Sequence, residues 1–208
     1  MTGLDFTSLA SIAIAFLVVT VSPGPANIAV ATVSMSEGRK AGHGFALGLS
    51  FGLAFWGLIA ATGMGAVLQS TPPLLIAMKV LGGIYLLWLA IQSARSAMRG
   101  AQQARATAKS GRWFRQGLLL NLSNPKAGVA WMAALSMGLG ESSSAGMLVL
   151  ATAVCMAIGF ANYAGHAAAF SLGGFMRAYQ RVRRTVDGAV SVLFAAAGLG
   201  LLRSAVTR

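Results

Sequence analysis

Residues 121–128 read NLSNPKAG and interrupt an apolar run that extends from GLLL on one side to VAWMAALSMGLG on the other. Amides, prolines and lysines are costly inside a bilayer, because lipid can neither satisfy hydrogen-bonding groups nor solvate a charge. This combination predicts a broken helix with a polar centre that is surrounded by protein or by a water-filled cavity. The polar or helix-breaking residues are Asn121, Asn124, Pro125 and Lys126.

The rest of the chain has the composition of an integral membrane protein. Its 208 residues are 56% hydrophobic and 10% charged, with a mean hydropathy of +0.72. That is more apolar surface than one soluble core of this size can bury. Six apolar stretches approach the ~20 residues that a helix needs to cross a bilayer. They predict an all-α membrane protein with one domain over residues 1–208 and spans at 6–36, 41–69, 74–94, 117–139, 145–172 and 186–202.

The basic residues indicate how the chain is oriented. A formal charge of +12 and a pI near 11.6 would suggest nucleic acid as the partner of a soluble protein. Here, however, the loops after spans two (QSTPP) and four (GESSS) contain no Lys or Arg, which is the distribution of the positive-inside rule. The basic segment 95–116 is therefore predicted to be cytoplasmic, and both termini are predicted to lie outside. The basic charge is explained by this orientation, so the protein is predicted not to bind nucleic acid. Twelve of the 16 basic residues follow spans one, three and five: Arg39, Lys40, Arg95, Arg99, Arg105, Lys109, Arg112, Arg115, Arg177, Arg181, Arg183 and Arg184.

A second break is predicted in VSPGPANIAV, residues 21–30, because Pro23 and Pro25 lack amide donors and Gly24 adds backbone freedom. This stretch occupies a comparable place in the other half of the chain, since the sequence of 21–38 echoes that of 122–138. With three spans in each half, about 1–100 and 112–208, the second half enters the membrane from the opposite side. Many secondary transporters build a midplane substrate site from such an inverted repeat with one broken helix in each half.

Enzymatic and metal chemistry finds little support in the sequence. Without a carboxylate pair, a zinc signature or a GxxxxGK[ST] segment, the chain is predicted not to be an enzyme, to need no cofactor and to hold no metal. A metal-ion exporter is disfavoured for the same reason. The residues concerned are few: Asp5, Glu37, Glu141 and Asp187 at or near span ends, His43 and His166, and Cys155 within span five.

Two features have both a packing and a functional interpretation. Asn162 and His166 are four residues apart on one helical face, where they could line a cavity or couple a proton; a hydrogen-bonded structural histidine is the favoured alternative. Gly44, Gly48 and Gly52 recur every four residues and favour close helix packing. A non-transporting subunit that packs on a partner through this face is the alternative to transport. Whether the chain acts alone or as a homodimer stays open.

Four motifs taken together resemble the LysE/RhtB family of amino-acid exporters: SPGPAN at 22–27, EGRKAG at 37–42, LGGIYLLWL at 81–89 and NLSNPKA at 121–127. The resemblance covers essentially the whole chain. It implies a six-span protein of the bacterial cytoplasmic (inner) membrane that exports amino acids or close derivatives and is driven by the ion gradient. The signature positions that match are Pro23, Gly24, Pro25, Asn27, Asn121, Asn124, Pro125 and Lys126.

Charge narrows the class of substrate. Lys126 lies about 15 Å along its helix from Arg115, deep enough to meet a substrate carboxylate within the membrane. No carboxylate is expected at that depth to hold a cationic side chain, so the sequence favours neutral amino acids such as threonine, homoserine or branched-chain types. Backbone carbonyls at a helix break could also hold an ammonium group. The alternative for NLSNPKAG is a polar kink that satisfies itself and only bends the helix.

Overall fold

The computed structural model describes residues 6–68, 72–98, 112–139, 143–172 and 174–206, and every regular element in these ranges is an α-helix. The helices are α1 (Phe6–Val21), α2 (Pro25–Ser36), α3 (Gly38–Leu68), α4 (Pro72–Met98), α5 (Trp113–Leu122), α6 (Pro125–Gly138), α7 (Ala145–Phe170) and α8 (Phe175–Val206).

Both predicted helix breaks are confirmed. The first separates α1 from α2, which are bent by 54° relative to each other, and the second separates α5 from α6. Each second helix starts at a proline, which is tolerated there because the first N–H groups of a helix have no intrahelical partner. The α6 N-cap, Asn124, accepts a hydrogen bond from the Lys126 N–H at 3.1 Å, whereas the α2 N-cap, Gly24, offers no side-chain cap.

Within the described ranges, three helical segments are long and apolar enough to cross a bilayer alone: Gly38–Gly63, Ala145–Phe170 and Arg184–Val206. The bent pair α1 and α2 makes a fourth if it counts as one span. An all-helical architecture with membrane-spanning segments is thus confirmed, while the count of six spans and the repeat stay predictions. Residues 99–111 of the predicted basic loop lie outside the described residues.

The helix of the predicted sixth span, 186–202, is longer than that apolar stretch: α8 runs from Phe175 to Val206, and its candidate membrane-spanning part is Arg184–Val206. Basic and polar residues in the first turns of α8 lower the hydropathy, but arginine and glutamine are good helix formers and the helix continues through them. Asp187 therefore lies about three turns inside a helix instead of at its end, and its side chain is fully buried.

The core forms where the broken helices cross the long ones. Helix α3 packs against α5 and α7, α1 against α6 and α7, and α4 mainly against α8. The rings of Phe16 and Trp131, both fully buried, lie 4.4 Å apart between centroids. The Trp131 indole N–H donates to the Leu53 carbonyl at 2.9 Å, so this large side chain is buried without an unsatisfied polar group. This packing holds both helix breaks in the interior of the protein.

The glycine face of α3 is covered by α5 of the same chain. A Cβ added at Gly48 would overlap the Phe114 carbonyl and approach the Leu118 nitrogen to 2.8 Å, and one at Gly52 would lie 2.8 Å from the Asn121 Cβ. The packing interpretation of these glycines is confirmed. A partner cannot use the same face without displacing α5, so the feature that motivated the non-transporting subunit no longer supports it.

Gly38 forms the turn between α2 and α3, within the EGRKAG motif. Its φ of +85° lies in the left-handed region, which residues with a Cβ rarely adopt. A Cβ at Gly42, one turn further on, would overlap the Ser34 side chain. The motif therefore sets a tight connection that brings α3 directly against α2.

Candidate functional site

Lys126 joins the two helix breaks. Its ammonium group donates to the Ser22 carbonyl at 3.2 Å and to the Ser22 hydroxyl oxygen at 2.5 Å. The Ser22 hydroxyl in turn donates to the Val19 carbonyl at 2.7 Å, which leaves its oxygen to accept from the lysine. A Cβ at Gly24 would lie 3.0 Å from the Lys126 Nζ, so the absence of a side chain there lets the ammonium group reach the backbone of the first break.

Asn27 stabilises the first break. Its carboxamide N–H groups donate to the carbonyls of Thr20, at 2.6 Å, and Ser22, at 3.0 Å, at the C-terminal end of α1. Its Oδ1 accepts a hydrogen bond from the Asn162 carboxamide at 3.2 Å, and the same Asn162 group lies 3.3 Å from the Thr20 carbonyl. Asn162 of α7 thus belongs to the network of the first break, a partnership that the sequence did not reveal.

Asn121 stabilises the second break. It is fully buried, and its carboxamide donates to the Leu49 carbonyl of α3 at 2.6 Å and lies 3.2 Å from the Tyr163 hydroxyl oxygen of α7. Its Oδ1 lies 3.4 Å from the Asn124 Nδ2. The Leu49 backbone of α3 and the Tyr163 side chain of α7 therefore hold the second break, as expected for a kink whose polar groups are satisfied within the protein.

Trp56 satisfies the carbonyls that the second break frees. Pro125 cannot donate to the Asn121 carbonyl one turn earlier, and the Trp56 indole N–H lies 3.2 Å from that oxygen and 3.3 Å from the Leu122 carbonyl oxygen. A Cβ at Gly128 would lie 2.9 Å from the Trp56 ring, so the glycine provides room for it. The freed carbonyl follows from the position of Pro125 in the sequence, but its donor does not, because any of four tryptophans could have supplied the N–H group.

A cavity of about 340 Å³ lies beside the junction of the breaks. Its polar wall contains Ser22, Lys126 and Asn124, and its apolar wall is formed by α4 and α8, including Trp88 and Phe194. Pro23 and Pro25 also line it. A smaller void of about 30 Å³, large enough to hold a water molecule, borders the same Lys126 and Ser22 and extends toward Asn27 and Tyr163. The Lys126–Ser22 contact therefore borders two spaces.

Asp187 lines the large cavity together with Lys126. The sequence did not lead us to expect a carboxylate on the same cavity wall as Lys126. The predicted span limits placed Asp187 at the end of a span, whereas the early start of α8 carries this residue into the interior. A preference for neutral substrates accordingly needs a different argument from the one that the sequence supplied.

His166 is positioned by its own helix. Its Nδ1 lies 2.9 Å from the Asn162 carbonyl oxygen, which can only accept, and its ring stacks on Phe170 at 5.8 Å between centroids. It lines neither of the two cavities at the breaks. This is the geometry of the structural alternative, and a coupling role for His166 stays a prediction.

The chain has helices that are long and apolar enough to span a membrane, two helix breaks joined by the half-buried Lys126, and a cavity beside them. These features define a helical membrane protein with a polar centre made from discontinuous helices. The description "LysE type translocator" belongs to the family model that matches residues 17–205, and the chain belongs to that family. The resemblance seen in the four motifs is thereby confirmed.

The chain is similar to the threonine efflux proteins of Salmonella typhi and Escherichia coli K12, with 32% identity over 203 and 199 residues respectively. Each match covers 93% of this chain and 97% of the relative. The leucine efflux protein of an Enterobacter species is 35% identical over 115 residues, which cover 54% of each chain. No solved structure matches the chain.

Proposed function

We propose that this protein is a secondary transporter that exports neutral amino acids across the bacterial cytoplasmic membrane, driven by an ion gradient. One observation carries the proposal: the Lys126 ammonium group lies at the meeting point of two helix breaks and on the wall of a cavity of ligand size. The names of the relatives, which are threonine and leucine efflux proteins, support amino acids as the substrate class.

The junction of the two helix breaks has the positive electrostatic character of a site that binds a carboxylate. Helices α2 and α6 both begin there, and the N-terminal end of a helix carries the positive end of its dipole. Lys126 adds a full positive charge to the same place. A substrate carboxylate would therefore be attracted by three positive contributions within one polar centre, as in transporters whose half-helices point at an anionic group.

Substrate binding would exchange one partner of Lys126 for another. The ammonium group now bonds to the carbonyl and hydroxyl of Ser22, which are neutral acceptors. A charge-assisted hydrogen bond to a carboxylate is roughly twice as strong as a neutral one. A bound carboxylate would thus draw Lys126 away from Ser22 and release the contact between the breaks. We assign this release to the conformational change that closes the substrate site to the cytoplasm and opens it to the outside.

The packing of the helices supports an inverted repeat of two halves, with α1 and α2 corresponding to α5 and α6, α3 to α7, and α4 to α8. Helix α3 of the first half packs against α5 and α6, and α7 of the second half packs against α1 and α2. The two third elements, α4 and α8, pack against each other. Six crossings would follow if each broken pair counts as one span. A homodimer stays a prediction that no contact of the described residues requires.

Efflux from intact cells tests the proposal. Cells that overproduce the protein are expected to tolerate a growth-inhibiting load of at least one neutral amino acid, supplied free or as a dipeptide, and to release it faster than vector-only cells. A panel of about twenty amino acids would identify the substrate. Inserted, abundant protein that changes neither tolerance nor release for any member of the panel would contradict transport and favour a subunit role.

Cysteine labelling in a Cys155→Ala background tests the orientation. Cysteines at Gln180 in α8 and at Ala104 should react only from the cytoplasm, and cysteines at Ser143 and Thr71 only from outside, because the loop charges divide in that way. Ala104 and Thr71 lie outside the described residues. Labelling of Thr71→Cys only from the cytoplasm would mean that the orientation is reversed.

A further inference from the structure

We infer that the Phe194 ring is the outer seal of the substrate cavity, the side chain that separates the polar space beside Lys126 from a second, apolar space in the outer half of the protein. This inference rests on the proposed function and names a residue that controls passage through its site. Three features of the molecule support it: the positions of the two spaces along the helices, the side chain that borders both, and the packing of the helix that carries this side chain.

A second cavity, of about 270 Å³, lies between α1, α4, α6 and α8. Its wall includes Ile14, which comes before the first break in α1, and Met137, which comes three turns after the second break in α6. A Cβ at Gly138 would overlap the Ser8 carbonyl oxygen, so the start of α1 and the end of α6 lie side by side. The larger cavity, by contrast, begins at Ser22 and continues along α2. The two spaces therefore lie on opposite sides of the level of the breaks.

The two cavities differ in polarity. Gln92 and Ser93 line the larger one and precede Arg95 in α4, which places that cavity on the cytoplasmic side by the charge rule. The second cavity is then on the outer side, and Ser11 is the single polar residue among its described lining residues. Apolar constrictions close a path to water and ions by dewetting. The apolar outer half of the path therefore acts as the closed side in this structure.

Phe194 stands at the boundary between the two spaces. Among the described lining residues, it is the one that both cavities share. Its side chain is 1% exposed although a cavity lies on either side, so the ring fills the space between them. It belongs to a buried apolar cluster with Leu86, which lines the outer cavity, and Leu89, which lines the larger one. An amino acid that leaves Lys126 for the outside would have to pass this ring.

The packing of α8 allows the seal to move together with α4. A Cβ at Gly198 would lie 2.9 Å from the Gly83 carbonyl oxygen, so α4 and α8 are in backbone contact. Among the described residues, α8 has only few contacts with α1 and α7. Helices that pack as a unit can slide or tilt against their neighbours. A tilt of α4 and α8 away from α1 would carry Phe194 out of the path and leave the glycine contact intact.

The accessibility of a cysteine beyond Phe194 tests the inference, in a Cys155→Ala background. Ala197→Cys lies on the outer cavity one turn after Phe194, and Ser93→Cys lies on the larger cavity and reports the side to which that cavity opens. The probe is sulfonatoethyl methanethiosulfonate, which does not cross membranes, applied to spheroplasts and to inverted vesicles. Ala197→Cys should react slowly from the side at which Ser93→Cys reacts. Phe194→Ala should raise that slow rate about 10-fold or more, because the reagent need not wait for an open state populated to about 10% or less.

Phe16→Ala is the matched control, because it removes the same ring from a fully buried phenylalanine that is not among the described lining residues of either cavity. It should leave the Ala197→Cys rate unchanged. If the alanine proteins do not insert, Phe194→Val and Phe16→Val make the same comparison. Equal rates in the Phe194 and Phe16 variants would overturn the inference, and amino-acid efflux by wild-type cells would then leave the proposed function intact. Wild-type protein that exports no amino acid would overturn both.

Discussion

Lys126→Met is expected to abolish amino-acid efflux while the protein is inserted and accumulates as in wild type. Methionine has a similar length and no charge, so it fills the space between the breaks without offering a donor to a carboxylate. It also removes the cost of about 2.5 to 3.5 kcal/mol that insertion scales assign to a charge in the centre of a membrane helix. Efflux assays with quantified membrane protein would measure the effect.

Lys126→Arg is expected to fail as well, although it keeps the charge. The guanidinium group is wider than an ammonium group and presents its donors in a rigid plane. At Gly24 the wall is already so close that a Cβ would lie 3.0 Å from the lysine Nζ. Lys40→Met, at an exposed position at the start of α3, is the matched control and should export normally. Full efflux by abundant Lys126→Met protein would instead make NLSNPKAG a self-satisfied kink.

The helix breaks were predictable because their causes are local. A proline removes one defined hydrogen bond and fixes the backbone before it, so Pro25 and Pro125 each mark the start of a new helix in any membrane context. The capping role of Asn124 follows from the same local chemistry. A meeting of the two breaks also agrees with the inverted repeat that the sequence predicts, because such repeats can place one broken helix of each half at a shared midplane site.

The partners of the breaks were not predictable because they depend on tertiary packing. Ser22, Trp56 and Tyr163 come from different helices, and their roles follow from the angles at which those helices cross. Asp187 was missed for a different reason. A hydropathy pattern identifies only the apolar part of a helix. The first turns of α8 are polar and lie before that part, so Asp187 was placed at the end of a span.

Gly48→Ala is expected to lower the melting temperature of the detergent-solubilised protein by several degrees and to reduce efflux. The added methyl group would overlap the Phe114 carbonyl and crowd the Leu118 nitrogen, and backbone atoms cannot move away as a flexible side chain can. Helices α3 and α5 would have to separate, at about 1 to 3 kcal/mol for an overpacked contact. Because Asn121 lies in the last turns of α5 and bonds to Leu49 of α3, that separation would also loosen the second break.

Gly63→Ala provides the comparison for this effect within the same helix. Its added Cβ would meet no heavy atom within 4 Å, and the residue is exposed. Alanine has the higher helix propensity by roughly 1 kcal/mol, so this variant should melt at or above the wild-type temperature and export normally. Equal melting of the two variants would mean that α3 and α5 are not in backbone contact. The Leu49 carbonyl would then be too far away to hold Asn121, and the second break would need another support.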